Sequence, residues 1–436
     1  MKSDERIVLA AGLRLPQARA GGAFAREDAG HLAASAAREL LARTGIDAGD
    51  LDEVILGCVG PPHDQANIAR VVALRAGIPQ HVPAFTVARN CASGMQAVTT
   101  AVTKIEAGRG ELFLAGGVEV MSAYPLIYNA RAVEFFGRML KARTMGAKLG
   151  ALASLRPSMF FAPRVSLIEG LTDPTTDLIM GSTAEHLARD WGLGREDADA
   201  FALQSHARAK VARDSGRLGR EIVPHLPLGS KAGSNSLAND DGIRENQTLA
   251  ALAKLKPYFE KPDGVVTVGN ACGITDGATF LVVTTATRAA KLGLKPLATL
   301  RSFAWAGCDP SRMGLGPVHS SARALKDAGV ELSDMGVVEI NEAFAVQVQA
   351  CHRAFDSDEF CAKHFGRKHK LGEIDPAKLN PNGGAIAMGH PVGATGARLL
   401  LTTAHELEAG DHELGLATLC IGGGQGGAVV LERCSQ

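Results

Sequence analysis

Along this chain, apolar runs of strand length alternate with stretches of helical pattern, and the alternation repeats itself. From Leu40, LLARTGIDAGDLDEVILGC reads as a helix, a glycine, a short turn and an apolar strand, and ALKDAGVELSDMGVVEIN from Ala324 reads the same way. A second pair follows in the same order. CASGMQAVTTAVTKIEAG (Cys91 to Gly108) and GATGARLLLTTAHELEAG (Gly393 to Gly410) share a glycine near the helix start and Glu-Ala-Gly at its end. Each copy then enters a glycine-bearing apolar strand, ELFLAGGVEV or LGLATLCIGGG, and the openings RIVLAAGLRLP and LATLRSFAWAG agree in type. The matched order predicts two similar α/β halves, 1–125 with 250–290 and 291–436. Strands alternating with helices imply that each half is a mixed, mostly parallel, buried sheet flanked by helices.

The middle, 126–249, fits neither repeat. Its helical stretches, Pro and Gly breaks and the polar run LGSKAGSNSLANDDGIRENQ predict an inserted, lid-like loop subdomain. Between Phe135 and Ile168 it carries six basic residues (Arg138, Lys141, Arg143, Lys148, Arg156, Arg164) and no acid, interleaved with Leu, Met and Phe. Such a face either docks on a membrane or a partner protein, or stays solvated and draws in anionic ligands.

Composition narrows the function classes. Lys plus Arg and Asp plus Glu both total 46, so no global field favours nucleic acid or acidic membranes, and an anionic ligand must be gripped locally. The start, MKSDERIVLAAGLRLP, lacks a signal-peptide pattern, and no apolar run is long enough to span a bilayer; a cytoplasmic protein is expected. Eight cysteines without a CxxC pair argue against a zinc site and a disulfide framework.

Two of those thiols have chemical settings. Cys91 follows a β-type run and precedes the first repeated helix, where the helix dipole favours a thiolate. A free thiol with pKa ~8.5 is mostly protonated at neutral pH, so fast attack needs a base. His390, in the Gly389-His390-Pro391 turn before the matching helix, reaches Cys91 across the pseudo-twofold relation of the halves. Cys420 lies in the glycine-rich CIGGGQGG that ends the second repeat. A lone cysteine before a helix is usually a small buried hydrophobe; its pairing with His390 through the repeat favours chemistry.

NCASGMQAV, VTVGNACGITDGA, NEAFAVQ, GGAIAMGHPVGATGAR and CIGGGQGGA together resemble the thiolase family, in order and over nearly the whole chain from Arg6 to Glu432. The resemblance implies duplicated thiolase-type halves and an acyltransferase acting on coenzyme A thioesters, without a permanently bound cofactor or a metal. Cys91 would attack the keto carbonyl of a 3-ketoacyl-CoA and become acylated, acetyl-CoA would leave, and CoA would accept the acyl group. Cys420 would be the acid/base, His390 and a water held by Asn341 would stabilise the enolate, and the N–H groups of Cys91 and Gly422 would hold the tetrahedral oxyanion. Glu342 would support His390 or Asn341, or serve a structural ion pair. CoA must be held without a P-loop, since no GxxxxGK[ST] occurs. Arg244 aligns with a nucleotide-contacting loop, where it would stack on adenine, meet phosphate or remain solvated. Cys272 stands where many thiolases have a serine on the pantetheine arm, and Met180 matches a methionine lining the acyl pocket.

Within the family, the length, the 129–163 stretch and LGPVHSSARAL most resemble β subunits of fatty-acid-oxidation trifunctional complexes, although Asn341 replaces the histidine typical of that branch. This implies a homodimer or dimer of dimers and a hydratase/dehydrogenase partner subunit. Degradative thiolysis is the leading expectation and acetoacetyl-CoA formation the alternative. Cys420 argues against a decarboxylating ketosynthase, and the complete Cys91, His390, Cys420 set argues against a non-catalytic acyl-CoA-binding scaffold.

Overall fold

The computed structural model describes residues 5–161, 163–231 and 233–434. In chain order the strands are β1 (Ile7–Arg14), β2 (Ala18–Arg19), β3 (Glu53–Gly57), β4 (Ala84–Val87), β5 (Leu112–Val120), β6 (Leu126–Ile127), β7 (Arg164–Val165), β8 (Thr275–Thr285), β9 (Ala298–Gly307), β10 (Val337–Ile340), β11 (Leu414–Ile421) and β12 (Gln425–Glu432). One sheet runs in the order β10, β11, β12, β9, β1, β8, β5, β3, β4, with β2 also against β8. The halves meet in antiparallel pairing of β1 with β9, Val8 opposite Thr299 and Leu9 opposite Ala298.

Outward from that seam the two halves repeat one plan. β8 and β12 pair antiparallel with β1 and β9, then β5 and β11 antiparallel with β8 and β12, then β3 and β10 parallel with β5 and β11. The sheet is thus mixed, with a larger antiparallel share than strand–helix alternation predicts. The tight Gly422–Gly424 turn between β11 and β12 permits only antiparallel neighbours.

Local chemistry repeats as well. The helix Ala29–Thr44 begins at Asp28, whose carboxylate accepts from Gly30 and His31 N–H, and stops at left-handed Gly45 (φ 66°). Its counterpart Gly316–Ala328 stops at Gly329 (φ 68°). A short 3-10 turn follows each, Ala48–Asp50 and Leu332–Asp334, and then β3 or β10 begins.

Two helices, Ser93–Glu106 and Val392–Ala409, lie side by side between the inner sheet faces of the halves and share one core with Leu9, Ile55, Leu281, Leu419 and Val429. Helices Ala29–Thr44 and Ile68–Arg75 cover the outer face of the first half, and Gly316–Ala328 and Ala345–Phe355 that of the second. Residues between β5 and β8 pack in two ways. Helices Met180–Asp190 and Arg195–Asp214 join the second half's core through Ala184, Leu187, Ala198 and Ala202. Helices Ala130–Lys141 and Met145–Ala153 form a hairpin above the β6–β7 ladder, with a small cluster of Ala132, Phe135 and Met159. The polar loop beyond is fastened by Arg14, fully buried, which donates to Asp240 at 2.6 and 2.9 Å and to Glu221 at 2.9 Å.

Candidate active site

Close backbone approach brings the two central helices together at their first turns. A Cβ on Gly94 would lie 2.8 Å from Ala397 N and 2.9 Å from Gly393 O, and one on Gly396 would lie 2.5 Å from Met95 N. Only glycine fits such contacts, so the helix starts carrying Cys91 and His390 can meet.

Cys91 sits on a tight turn. β4 ends at Val87, and Asn90 takes a left-handed conformation (φ 43°), which few non-glycine residues adopt. Ser93 Oγ closes the turn, donating to Asn90 O at 2.8 Å and accepting from Arg89 N at 2.9 Å. Asn90 Nδ2 donates to Gly422 O at 2.8 Å, tying the turn to the β11–β12 loop. Arg89 reinforces the tie, donating to Gln425 Oε1 at 2.9 Å with its guanidinium 4.4 Å over the Trp305 ring.

Cys91 is half-buried as a residue. Burial of its sulphur pushes the pKa above the ordinary thiol value, the N–H groups of Gly422 and of Cys91 itself pull it back, and Glu119 adds to the rise. Both N–H groups that the resemblance nominates thus contribute to the electrostatics at the cysteine sulphur. Cys420, at the end of β11, is buried; desolvation first, then the neighbouring Cys91, Cys351 and Cys272 sulphurs, raise its pKa well above normal. Cys272 is likewise desolvated and electrostatically coupled to Cys91, and its pKa is pushed up to about 12. Its N–H bonds Ala343 O at 3.0 Å in the Asn341–Phe344 loop. Met180 begins its helix against Gly422, where an added Cβ would lie 3.1 Å from the methionine sulphur.

His390 is 5% exposed, and burial, assisted by Arg398, drives its pKa down to about 3, so the ring is neutral near pH 7. Thr395 Oγ1 spends its hydrogen on Pro391 O (3.0 Å), so its 2.6 Å contact with His390 Nδ1 is a ring N–H donating to the hydroxyl. That leaves Nε2 unprotonated, able to accept a proton. Asn341 Nδ2 lies 3.5 Å from Nε2, and Asn341 Oδ1 is buried without a protein partner among the described residues. From the first half, Thr275 Oγ1 accepts His390 N–H at 3.2 Å.

Among the described residues the Glu342 carboxylate has no hydrogen bond to His390 or Asn341. It accepts from Ser205 Oγ (2.6 Å), Asn380 Nδ2 (2.9 Å) and Ile386 N (3.2 Å), and so anchors the 380–386 segment that leads to His390. Glu119 does related work beneath the helix start. Its buried carboxylate accepts from Val59 N, Gly60 N, Tyr124 Oη and Gly393 N at 2.9–3.0 Å. An acid inside the apolar run LFLAGGVEV was the sequence signal for it; nothing local pointed to Asn90 or Thr395. Arg244 lies apart: exposed in the 241–247 loop, with its backbone N–H on His206 Nδ1 (3.2 Å), it has no hydrogen bond to this cluster among the described residues. His206 is a buried, satisfied histidine held neutral by desolvation, its pKa about 4.

A buried neutral imidazole, a thiol at a helix start and a second, dry thiol suit covalent acyl transfer through sulphur. Comparison with known proteins points the same way. The family models "Thiolase, N-terminal domain" and "Thiolase, C-terminal domain" match residues 7–287 and 294–433. A probable acetyl-CoA acyltransferase of Staphylococcus aureus (strain COL) is 39% identical over 428 residues, covering 98% of this chain and 99% of its own. An acetyl-CoA acetyltransferase of Rhizobium meliloti (strain 1021) is 39% identical over 431 residues, covering 99% and 100%. The crystal structure of human mitochondrial 3-ketoacyl-CoA thiolase in complex with CoA superposes with a TM-score of 0.84 at 34% identity, covering 99% of this chain and 98% of that one. Matched in both halves and by relatives along nearly its full length, the chain belongs to the thiolase family of acyltransferases.

Proposed function

We propose that the protein cleaves 3-ketoacyl-CoA thiolytically, passing the shortened acyl chain to CoA through an acyl thioester on Cys91. The observation that carries this reading is the close crossing of the two central helices at their first turns, which draws together the helix starts that carry Cys91 and His390, with the Cys420 thiol electrostatically close to Cys91.

In this reading His390 Nε2 takes the Cys91 proton as sulphur attacks C3 of the substrate. The N–H groups of Cys91 and Gly422 hold the oxyanion of the tetrahedral adduct. Its collapse breaks the C2–C3 bond, leaving the acyl group on Cys91 and the electron pair on the acetyl-CoA enolate. Asn341, whose free Oδ1 suits an ordered water, and His390 stabilise that enolate, and Cys420 protonates its carbon. Cys420 then takes the proton of an incoming CoA thiol, which attacks the acyl thioester; Cys91 leaves as a thiolate and recovers its proton from His390. Met180 borders the acyl group and Cys272 the pantetheine arm, and Arg244 meets the nucleotide once CoA spans the distance from the loop. Residues 1–125 with 250–290 and 291–436 act as the catalytic halves and 126–249 as the inserted subdomain.

The name of the Rhizobium relative favours a second reading, in which the same site condenses two acetyl-CoA into acetoacetyl-CoA. Thiolysis rates across 3-ketoacyl-CoA chain lengths, with intact-mass detection of the acyl-enzyme, test both. Turnover of medium and long chains with acyl mass on Cys91 is expected. Activity confined to acetoacetyl-CoA would favour the second reading, and turnover without acylated Cys91 would overturn both.

A further inference from the structure

Glu119 is the single acid of strand β5, and its side chain is fully buried. No basic side chain pairs with it among the described residues. Two donors meet each oxygen instead. Gly60 N–H and Tyr124 Oη–H reach Oε1 at 2.9 and 3.0 Å, and Val59 N–H and Gly393 N–H reach Oε2 at 3.0 Å. Three of these are backbone amides, which can only donate, so the group is held as a carboxylate against the rise in pKa that burial imposes.

The bonds cross between the halves. Glu119, Val59 and Gly60 belong to the first, while Gly393 is in the opening turn of the second half's central helix, three residues after His390. Backbone lies against backbone there: a Cβ on Gly117 would be 1.9 Å from Gly393 O, and one on Gly393 would be 2.4 Å from Val118 O and 2.7 Å from Glu119 Oε2. No side chain fits between them. A first-turn N–H has no partner within its own helix, and the Glu119 carboxylate supplies one from the opposite half.

We propose that Glu119 is a positioning residue for acyl transfer: its carboxylate bolts the first turn of the His390 helix to the loop beyond β3, and so sets where His390 stands relative to Cys91. The proposal rests on the acyl-transfer reading of the Cys91 cluster. Charge adds a second effect, because a carboxylate near a thiol opposes the thiolate. Burial and the N–H groups of Gly422 and Cys91 weigh more on Cys91, and Glu119 adds to the rise. The Cys420 and Cys272 thiols coupled to Cys91, and the Cys58 thiol and Tyr124 phenol beside Glu119, are pushed up by burial first and stay neutral near pH 7. His390 is neutral there too. Glu119 is thus the charge whose removal the thiol would register.

Glu119→Gln and Glu119→Asp separate position from charge. Glutamine keeps the length but loses the charge and turns an NH2 group toward amide donors; aspartate keeps the charge and gives up a methylene of reach. In both, kcat should fall about 10- to 100-fold with KM little changed. Iodoacetamide at pH 7 should inactivate Glu119→Gln about two- to fivefold faster than the wild type, and Glu119→Asp at the wild-type rate. Tyr124→Phe spares the three amide bonds and should keep kcat within about threefold; it carries the test with Glu119→Asp if the glutamine variant does not fold. Three results would each overturn the proposal: wild-type kcat in the Glu119 variants, a lowered melting temperature with kcat per folded molecule and alkylation unchanged, or a loss in Tyr124→Phe equal to that in the Glu119 variants. Intact mass of the wild type separates the two readings, since a chain that turns over without acylated Cys91 fails the acyl-transfer reading itself.

Discussion

Ser93 and Thr395 hold matching places in the two central helices, and each hydroxyl braces the loop before its helix. Ser93 closes a turn through backbone groups alone, and Thr395 bonds both Pro391 O and the His390 ring. The loops explain the divergence. Each half carries a segment parallel to its outer strand, β4 beside β3 and Leu379 beside Val338 of β10, and a left-handed asparagine follows, Asn90 or Asn380 (φ 43° in both). In the first half Cys91 comes next. In the second, residues 381–389 intervene and sink His390 into the interior. Strand ends differ in the complementary sense. Gly57 and Gly117 lie flush against the Ser93 and Gly393 backbones, whereas the second half has Asn341 and Cys420 at its strand ends. In the proposed reaction, then, one half is stripped to let helices dock and offers the nucleophile, and the other keeps the dry acid/base groups.

Removing one thiol from each half is the hardest test of that division. Cys91→Ala should lose turnover by about four orders of magnitude or more and form no acyl-enzyme. Cys420→Ala should lose about 10²- to 10⁴-fold yet still acylate Cys91 from an activated thioester, as read by intact mass. Normal turnover by Cys420→Ala would make that thiol structural and the division of labour wrong.

The matching hydroxyls give a finer comparison. Thr395→Val leaves the buried Nδ1–H of His390 without an acceptor, at a cost of about 1–3 kcal/mol, so kcat should fall roughly 10- to 100-fold. Thr395→Ser should restore most of it. Ser93→Ala should cost about tenfold or less, because Asn90 Nδ2 still holds the turn on Gly422. Nitrogen shifts of His390 report the tautomer directly; a proton on Nε2 in the wild type would break the comparison.

In protonation state the halves agree. Desolvation drives His390 down to about 3 and pushes Cys91 up, so both are neutral between pH 5 and 8. Only the thiolate alkylates. Inactivation by iodoacetamide should therefore rise about tenfold per pH unit through that range, as it does below any thiol's pKa. A plateau beginning near pH 5 or 6 would instead reveal a resting thiolate–imidazolium pair.

Much of this was legible in the sequence because duplication writes the same pattern twice. Gly45 and Gly329, Gly94 and Gly396, and the paired Glu-Ala-Gly helix ends are local signals, and they reveal the correspondence of Cys91 with the His390 turn. What stayed hidden depends on contacts between distant segments. Asn90 looks like any loop asparagine until its φ is known, and Glu342 points to Ser205 and Asn380 because residues 380–386 fold back over β10. The 126–249 segment reads as one insertion, but helices Met180–Asp190 and Arg195–Asp214 bury their apolar faces in the second half's core. Arg244 was nominated by likeness of its loop, and the fold leaves its side chain in solvent.

The smallest expected effect concerns stability and tests whether the helix crossing itself joins the halves. At Gly94 and Gly396 an added methyl meets backbone atoms of the opposite helix at 2.8 and 2.5 Å, and backbone cannot swing aside as a flexible side chain can. The two helices must then separate or tilt, and overpacking of this kind costs about 1–3 kcal/mol. Gly150→Ala is the control: that helical glycine has nothing within 4 Å of the new methyl, and alanine there should be neutral or stabilising by up to about 1 kcal/mol. Calorimetric melting of the three variants measures the difference. Since either helix start moves when the other is pushed, Gly94→Ala and Gly396→Ala should slow acylation of Cys91 alike. A variant destabilised as expected but acylating at the wild-type rate would mean that the sheet seam at β1 and β9, and not the helix crossing, sets the distance between the cysteine and the histidine.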